Sequence, residues 1–258
     1  MRATSQIEGV AGAIDELVQR MLENAGVHQP PVDALAVAWL LGIAVVHDQA
    51  QAPRGRHVRI AGTSTIFVRP EERPERLQWA VAHELGEALA HVPIERAQVD
   101  LEEAGPHARE QAANMLASRL LLPTCWFAAE AARCSGNLVA LKQTFSTASH
   151  ELIALRLLDL ADPLVVTIFD HGRVTRRACN CAHRPPPLCA IERLCQSEAH
   201  RTGRVATREA QGVVVRGWPI HEPHWRREIL LASAAEERAC DVEATPTESA
   251  VANLAACG

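Results

Sequence analysis

The chain contains no tyrosine, only one lysine (Lys142), and few aromatic residues of any kind, about 3% of the sequence. Without a phenol, any oxyanion formed at a reactive centre has to be met by His, Arg or a backbone N–H. The near-absence of lysine against abundant Arg and Ala reads as a coding bias towards GC-rich codons and carries no functional weight. No apolar run is long enough to span a bilayer. The longest, Val32 to Val46, is interrupted by Asp33 and Gly42. Met1 to Val10 lacks a basic stretch followed by an apolar segment, so no secretory signal is expected and the chain is read as cytoplasmic. Internal repeats and long low-complexity tracts are missing too.

What is present fits a packed globular protein. Of the 258 residues 48% are hydrophobic, which excludes wholesale disorder and allows one sizeable core plus a smaller domain. The formal net charge of −5 excludes a general polyanion binder. In a reducing compartment the eight cysteines are expected as thiols or metal ligands rather than as a disulfide framework.

Periodicity predicts a helix over Ile14–Asn24, stopped by Gly26. A second follows Pro30-Pro31, with Asp33 in its first turn and Gly42 just past its end. Short strands are expected at Ile43–His47, His57–Ile60 and Thr65–Val68. From Pro74 to about His91 apolar residues recur at steps of three and four (Leu77, Ala80, Val81, Leu85, Ala88, Leu89), a buried helical stripe ended by Pro93. A further helix is expected over Ala108–Leu122, stopped by Pro123, and two short ones within Leu138–Leu160. Leu164–Phe169 reads as a strand that turns at Asp170-His171-Gly172 into Arg173–Arg177. A domain boundary is expected near Ala161–Pro163, and Asp241–Gly258 reads as a loosely ordered tail.

The segment Ala82-His83-Glu84-Leu85-Gly86-Glu87 opens like the zinc-binding pattern H-E-x-x-H. On a helix, positions i and i+4 share one face, so two side chains can hold one ion. The glutamate at i+1 then lies beside the water that the ion activates and can take its proton. Here position i+4 is Glu87 rather than His. A third ligand has to come from another element, and Glu110 supplies it, with Asn114 one turn further on to orient that carboxylate. His150-Glu151-Leu152 repeats the opening without a later ligand and reads as a surface turn of helix. In His221-Glu222-Pro223-His224 the proline and the spacing spoil the helical face.

Gln78-Trp79-Ala80-Val81-Ala82-His83-Glu84-Leu85-Gly86, followed by Ala90-His91, resembles the active-site helix of the ImmA/IrrE family of metallopeptidases, zincins of gluzincin-like form. Glu110-Gln111-Ala112-Ala113-Asn114-Met115-Leu116-Ala117-Ser118-Arg119-Leu120-Leu121-Leu122-Pro123 is similar to that family's second motif. Pro30-Pro31-Val32-Asp33 with Leu40–Val45, and Phe145-Ser146 through Arg156-Leu157, resemble its opening and closing regions. The resemblance covers about residues 20–160. It implies one catalytic zinc, His83 and Glu110 as ligands, Glu84 as base, and cleavage of a helix-turn-helix transcriptional repressor in a stress, mobile-element or phage-defence circuit. The family's second histidine falls on Glu87. Glu87 could ligate through oxygen, His91 or His107 could substitute for it, or the site could be a relic that only binds its partner. With two carboxylates on the ion, its pull on water weakens and turnover should be slow.

Beyond the boundary lie Cys179, Cys181, Cys189 and Cys195, with His183 among them, around Pro185-Pro186-Pro187. They could hold a second zinc or an iron–sulfur cluster, act as redox thiols, or simply be half-buried. Arg173, Arg176, Arg177, Arg184, Arg201, Arg204, Arg208, Arg226 and Arg227 could meet single-stranded nucleic acid or another anion, or form a solvated surface. Trp218 and Trp225 are better explained as packing residues than as a stacking platform. The expected architecture is α+β. A mainly helical zincin-like domain with a small sheet covers 1–162, a smaller α/β sensor-like domain of the PAS or GAF sort covers 163–240, and the tail covers 241–258.

Overall fold

A computed structural model describes residues 2–51, 54–60, 62–89, 91–96, 101–181 and 184–234. The expected tail lies outside the described residues. Among them no helix is long and apolar enough to cross a membrane. The chain divides into two compact units, Met1–Leu152 and Ile153–Gly258. The division falls inside a short helix, ahead of the position that composition suggests.

The first unit begins with helices α1 (Arg2–Asn24) and α2 (Ala34–Leu40) and strands β1 (Ala44–His47), β2 (Gly55–Ile60) and β3 (Thr63–Val68). Helix α3 (Pro74–Leu89) follows, then α4 (His91–Arg96), α5 (Leu101–Leu121), α6 (Thr124–Arg133), α7 (Leu138–Thr144) and α8 (His150–Arg156). The strands form a three-stranded sheet in the order β1-β3-β2, with β1 parallel and β2 antiparallel to β3. Local chemistry explains most of the boundaries. Gly26 and Gly42 take the left-handed conformation that ends a helix. Asp33 caps α2 by accepting from the backbone N–H groups of Leu35 and Ala36. Pro93 does not simply close α3. It sits in the first turn of α4, where a missing N–H costs no intrahelical bond.

The core of this unit contains Ile14, Val18, Val81, Leu85, Leu116, Leu120, Phe127 and Phe145, all 3% exposed or less. Truncating a residue such as Leu85 to Ala should cost about 2–5 kcal/mol. Two polar ties fix the helices around it. The buried Gln78 on α3 accepts from the Ala34 N–H (2.7 Å) and donates to Asp33 (2.9 Å), locking α2 to α3. Asp15 on α1 accepts from Arg119 on α5 and from the Thr124 hydroxyl (2.5 Å).

Helices α3 and α5 meet where small residues allow it. A Cβ at Gly86 would lie 2.5 Å from the carbonyl oxygen of Ala113, closer than real Cβ atoms come. Gly86→Ala should therefore push the two helices apart and destabilise this unit by about 1–3 kcal/mol. Denaturant unfolding checks this expectation, and an unchanged midpoint would contradict it.

The second unit starts from the end of α8 and a 3-10 turn, Leu157–Asp159. Strands β4 (Leu164–Asp170) and β5 (Arg173–Cys179), helix α9 (Ala190–Thr202), and strands β6 (Ala206–Ala210), β7 (Val213–Glu222) and β8 (Trp225–Ala234) follow. The five strands form an antiparallel sheet in the order β5-β4-β8-β7-β6. Counted within this unit the order is 2-1-5-4-3 with one helix packed against the sheet. His171-Gly172 and Gln211-Gly212 have positive φ at both positions, as two-residue hairpin turns require. On the α9 side the core is Val165, Phe169, Cys195, Ala199, Val213, Val215, Leu230 and Ala232. Trp218 is buried, as a packing role requires.

Several arginines of this unit serve the fold rather than a solvated surface. Arg177 on β5 donates to both carboxylate oxygens of Glu192 on α9 (2.7 and 3.0 Å), to Thr167, and to the carbonyl oxygens of Pro186 and Pro187. Arg208, with half of its side chain exposed, pairs with Glu198 (2.6 Å) and stays part of the solvated surface. Arg227 grips Asp170 through two hydrogen bonds of 2.6 and 2.9 Å. Burial opposes ionisation of Asp170, but hydrogen bonds from Arg227 and Thr175 outweigh it and hold its carboxyl below its ordinary value. A depressed carboxylate adds stability that is complete above its unfolded value, near about 3.9, and is lost as pH falls through the folded value. Asp170→Asn should cost roughly 1–3 kcal/mol at neutral pH and flatten the acid side of the stability profile. Urea unfolding at a series of pH values tests this, and parallel profiles for the two proteins would contradict it.

Candidate metal centre

Helix α3 presents His83 and Glu87 on one face because they are four residues apart. The Gly86–Ala113 contact brings α5 against that face, and Glu110 arrives from α5 at the same point. The ligand atoms of His83, Glu87 and Glu110 all lie within 4.8 Å of one another. His83 Nε2 is 3.9 Å from Glu110 Oε1. Asn114, one turn along α5, donates to the same Oε1 at 2.9 Å and holds that carboxylate in place. The ring of Trp79 lies nearly parallel to His83, 6.5 Å away at 27°.

One nitrogen and two carboxylate oxygens on three side chains suit a zinc ion with one position left open. The spacing exceeds that of ligands already drawn onto an ion at about 2.0–2.2 Å, so a small closure is needed. Glu110 has a side chain 53% exposed and can supply it. One feature departs from the usual arrangement. Among the described residues Nδ1 of His83 is buried with no hydrogen-bond partner, whereas a metal-binding imidazole ordinarily donates from its second nitrogen and gains basicity from doing so. Here ring stacking on Trp79 restrains the imidazole instead.

Glu84 points away from solvent, under β2. A Cβ at Gly55 would lie 2.5 Å from Glu84 Oε1, so only glycine lets the strand pass this close. Burial raises the Glu84 carboxyl above its ordinary value, against the lowering pull of the His83 charge and a hydrogen bond from the His57 backbone N–H. The like charges of Glu87 and Glu110 raise it further. A carboxylate so placed holds a proton more readily than an exposed glutamate does.

His91 and His107 are exposed and stand outside this group. His91 opens α4, so it no longer follows the face of α3. His107 is engaged with Gln111 at 2.9 Å. His150 is half-buried at the start of α8, not a surface turn; burial and the Lys142 charge lower its pKa against the opposing pull of Glu75. His221 and Glu222 end a strand, so their segment forms no helical motif.

Among the described residues the four cysteines of the second unit do not converge as a group of three or more metal ligands. Cys179 and Cys181 are close neighbours, and burial, the Cys179 charge and its hydrogen bond raise the Cys181 thiol. Cys189 begins α9, where its N–H donates to Glu192 (3.0 Å). Cys195 is fully buried, its thiol facing the carbonyl oxygens of Ala206 and Val215 at 3.5 and 3.6 Å. Among the described residues neither convergent group of three possible ligands contains a cysteine. His183 lies outside the described residues. Burial, with Glu198 adding to it, pushes the Cys195 thiol up to about 11, so almost no thiolate exists at neutral pH. Alkylation by iodoacetamide should therefore label the exposed Cys125 ahead of Cys195, which reacts slower by roughly a hundredfold or more. Comparable rates in the folded protein would contradict this placement.

The second convergent group, His200, His221 and Glu228, has no counterpart among the motifs of the sequence. Its members come from a helix and two strands, so no local spacing marks them. One signal exists: Glu228 shares strand parity with the inward Leu230 and Ala232, an unusual place for a carboxylate.

A helix carrying His and Glu on one face, a carboxylate from a second helix and a small sheet over the i+1 glutamate define a zincin-like metallopeptidase domain. Residues 40–158 match the family model described as the IrrE N-terminal-like domain, Peptidase_M78, which supports an ImmA/IrrE-type family for this part of the chain. Among solved structures, a Mycobacterium tuberculosis transcriptional regulator is similar at 19% identity with a TM-score of 0.61, covering 86% of this chain and 75% of that one. No curated protein sequence matches the chain.

Proposed function

We propose that the chain is a zinc-dependent endopeptidase that cleaves a helix-turn-helix transcriptional repressor in a bacterial stress, mobile-element or phage-defence circuit. The observation that carries this reading is the convergence of His83, Glu87 and Glu110 beside the buried Glu84. The family match supports a peptidase-like role, and the similarity to a transcriptional regulator fits a regulatory circuit. His83, Glu87 and Glu110 would hold the ion, which when bound supplies Lewis-acid activation of water and of the scissile carbonyl. Glu84 takes the proton from the attacking water and returns it to the leaving amine. Asn114 keeps Glu110 turned towards the centre, and β2 shields Glu84 from bulk water.

We assign residues 1–162 to the peptidase domain and 163–240 to a sensor-like domain that regulates it in the cytoplasm. The trigger would be a redox, metal or nucleic-acid signal, read through the neighbouring thiols of Cys179 and Cys181 or through exposed arginines. A second reading is favoured by Glu87 and by the buried Nδ1 of His83. Both weaken the centre as a catalyst and leave a pseudopeptidase that releases the repressor by binding alone.

Glu84→Gln separates the two. Co-expressed with helix-turn-helix repressors of the same genome, the native chain should cleave one of them. The variant should lose about 10²–10⁴-fold in rate while keeping its fold and zinc content. Unchanged cleavage by the variant would exclude Glu84 as the base. An intact repressor in a stable complex with the native chain would favour the binding-only reading.

A further inference from the structure

Glu228 lies in the middle of β8 with none of its surface exposed. A buried carboxylate is expensive unless something positive or strongly hydrogen-bonded meets it. What meets this one is a pair of imidazoles and an amide. Oε1 faces His200 Nδ1 at 2.9 Å and His221 Nε2 at 2.6 Å, and Oε2 accepts from the Gln196 amide at 3.0 Å. Two imidazoles thus converge on one carboxylate oxygen, and the three ligand atoms lie within 4.8 Å of one another.

Three elements build this group. His221 on β7 pairs with Arg226 on β8, so Glu228 is its diagonal neighbour on the same face of the sheet. That face is the one α9 covers, because Leu230 and Ala232, two and four residues beyond Glu228, pack with Cys195 and Ala199. His200 and Gln196 are one turn apart on α9 and reach the sheet beyond the apolar core. Helix and sheet come this close because residue 217 is glycine: a Cβ there would lie 3.2 Å from Cys195 Sγ.

We propose that His200, His221 and Glu228 form a second metal site, which takes a first-row divalent cation of the zinc class. Two imidazole nitrogens and one carboxylate oxygen are a donor set such ions accept, with positions left over for water or a small ligand. Gln196 fixes Oε2, so Oε1 is the oxygen presented to the ion. Ligands around an ion at about 2.0–2.1 Å stand roughly 3.4 Å apart, so the imidazoles have to swing outwards by less than about 1 Å. His200 and His221, with side chains 35% and 22% exposed, have the freedom to do so, and the same exposure gives the ion its entry path. The ion takes the place of the hydrogen bonds that now join the two imidazoles to Glu228. The site lies wholly within the second unit and is independent of the peptidase reading.

The test is a zinc titration of the full-length chain carrying His83→Ala, which silences the first group. One zinc per chain should bind. His200→Ala should weaken it by about 10–100-fold, and His200→Ala with His221→Ala should abolish it. Cobalt in place of zinc should show ligand-field bands without a thiolate charge-transfer band, which separates this site from the cysteines. Glu228→Gln keeps the size and one hydrogen-bonding oxygen, so its loss of zinc with an unchanged circular dichroism spectrum supports ligation without depending on the histidine variants folding. The proposal is overturned if the His83→Ala chain binds no zinc. It is equally overturned if binding survives loss of both histidines, or if cobalt reports thiolate ligation.

Discussion

The close approach of α3 to α5 at Gly86 and Ala113 is the constraint on which the first unit depends. Separate helices carrying His83 and Glu110 would be two ordinary amphipathic elements. Pressed together with a backbone carbonyl in the space a side chain would fill, they bring a nitrogen and two carboxylate oxygens within reach of one ion. The small residues around the contact, Ala112, Ala113 and Ala117, are buried for the same reason. A second close approach, Gly55 over Glu84, completes the arrangement. It excludes water from the carboxylate, and that exclusion gives Glu84 its raised affinity for a proton.

Much of this centre is legible in the chain because it is written in helical period. His83, Glu87, Glu110 and Asn114 follow steps of four, and their geometry agrees with that pattern. The hairpin at Asp170-His171-Gly172 and the caps at Asp33 and Gly26 are legible because turn and cap chemistry is local. His91 misleads for the opposite reason: sequence proximity to Glu87 conceals that α3 ends at Leu89 and a new helix starts. The cysteines stand together in sequence and Cys179 stays beside Cys181, but the buried Cys195 thiol faces backbone carbonyls. The polar end of the α9–sheet layer leaves only the inward parity of Glu228 as a trace, since its residues meet only after the register of β7 and β8 is set.

The two units solve the same physical problem differently. In the first, carboxylates remain exposed enough to move, and the centre gathers donors without yet satisfying them. In the second, Glu228 is fully enclosed and satisfied by two imidazoles and an amide. The ion pairs Arg177–Glu192 and Arg227–Asp170 fasten the sheet around it. Both arginines are held by carboxylates of their own unit, so neither is free to meet an anionic partner.

The central claim is that Glu87 takes the place of an imidazole in the metal triad. It is tested most directly by equilibrium zinc titration of the full-length chain carrying both His200→Ala and His221→Ala, comparing Glu87 with Glu87→Ala and Glu87→His. The account predicts one zinc per chain with Glu87, a loss of about tenfold or more with Ala, and restored or tighter binding with His. Equal affinity of the Glu87 and Ala forms would contradict it, because the carboxylate would then contribute nothing to the centre.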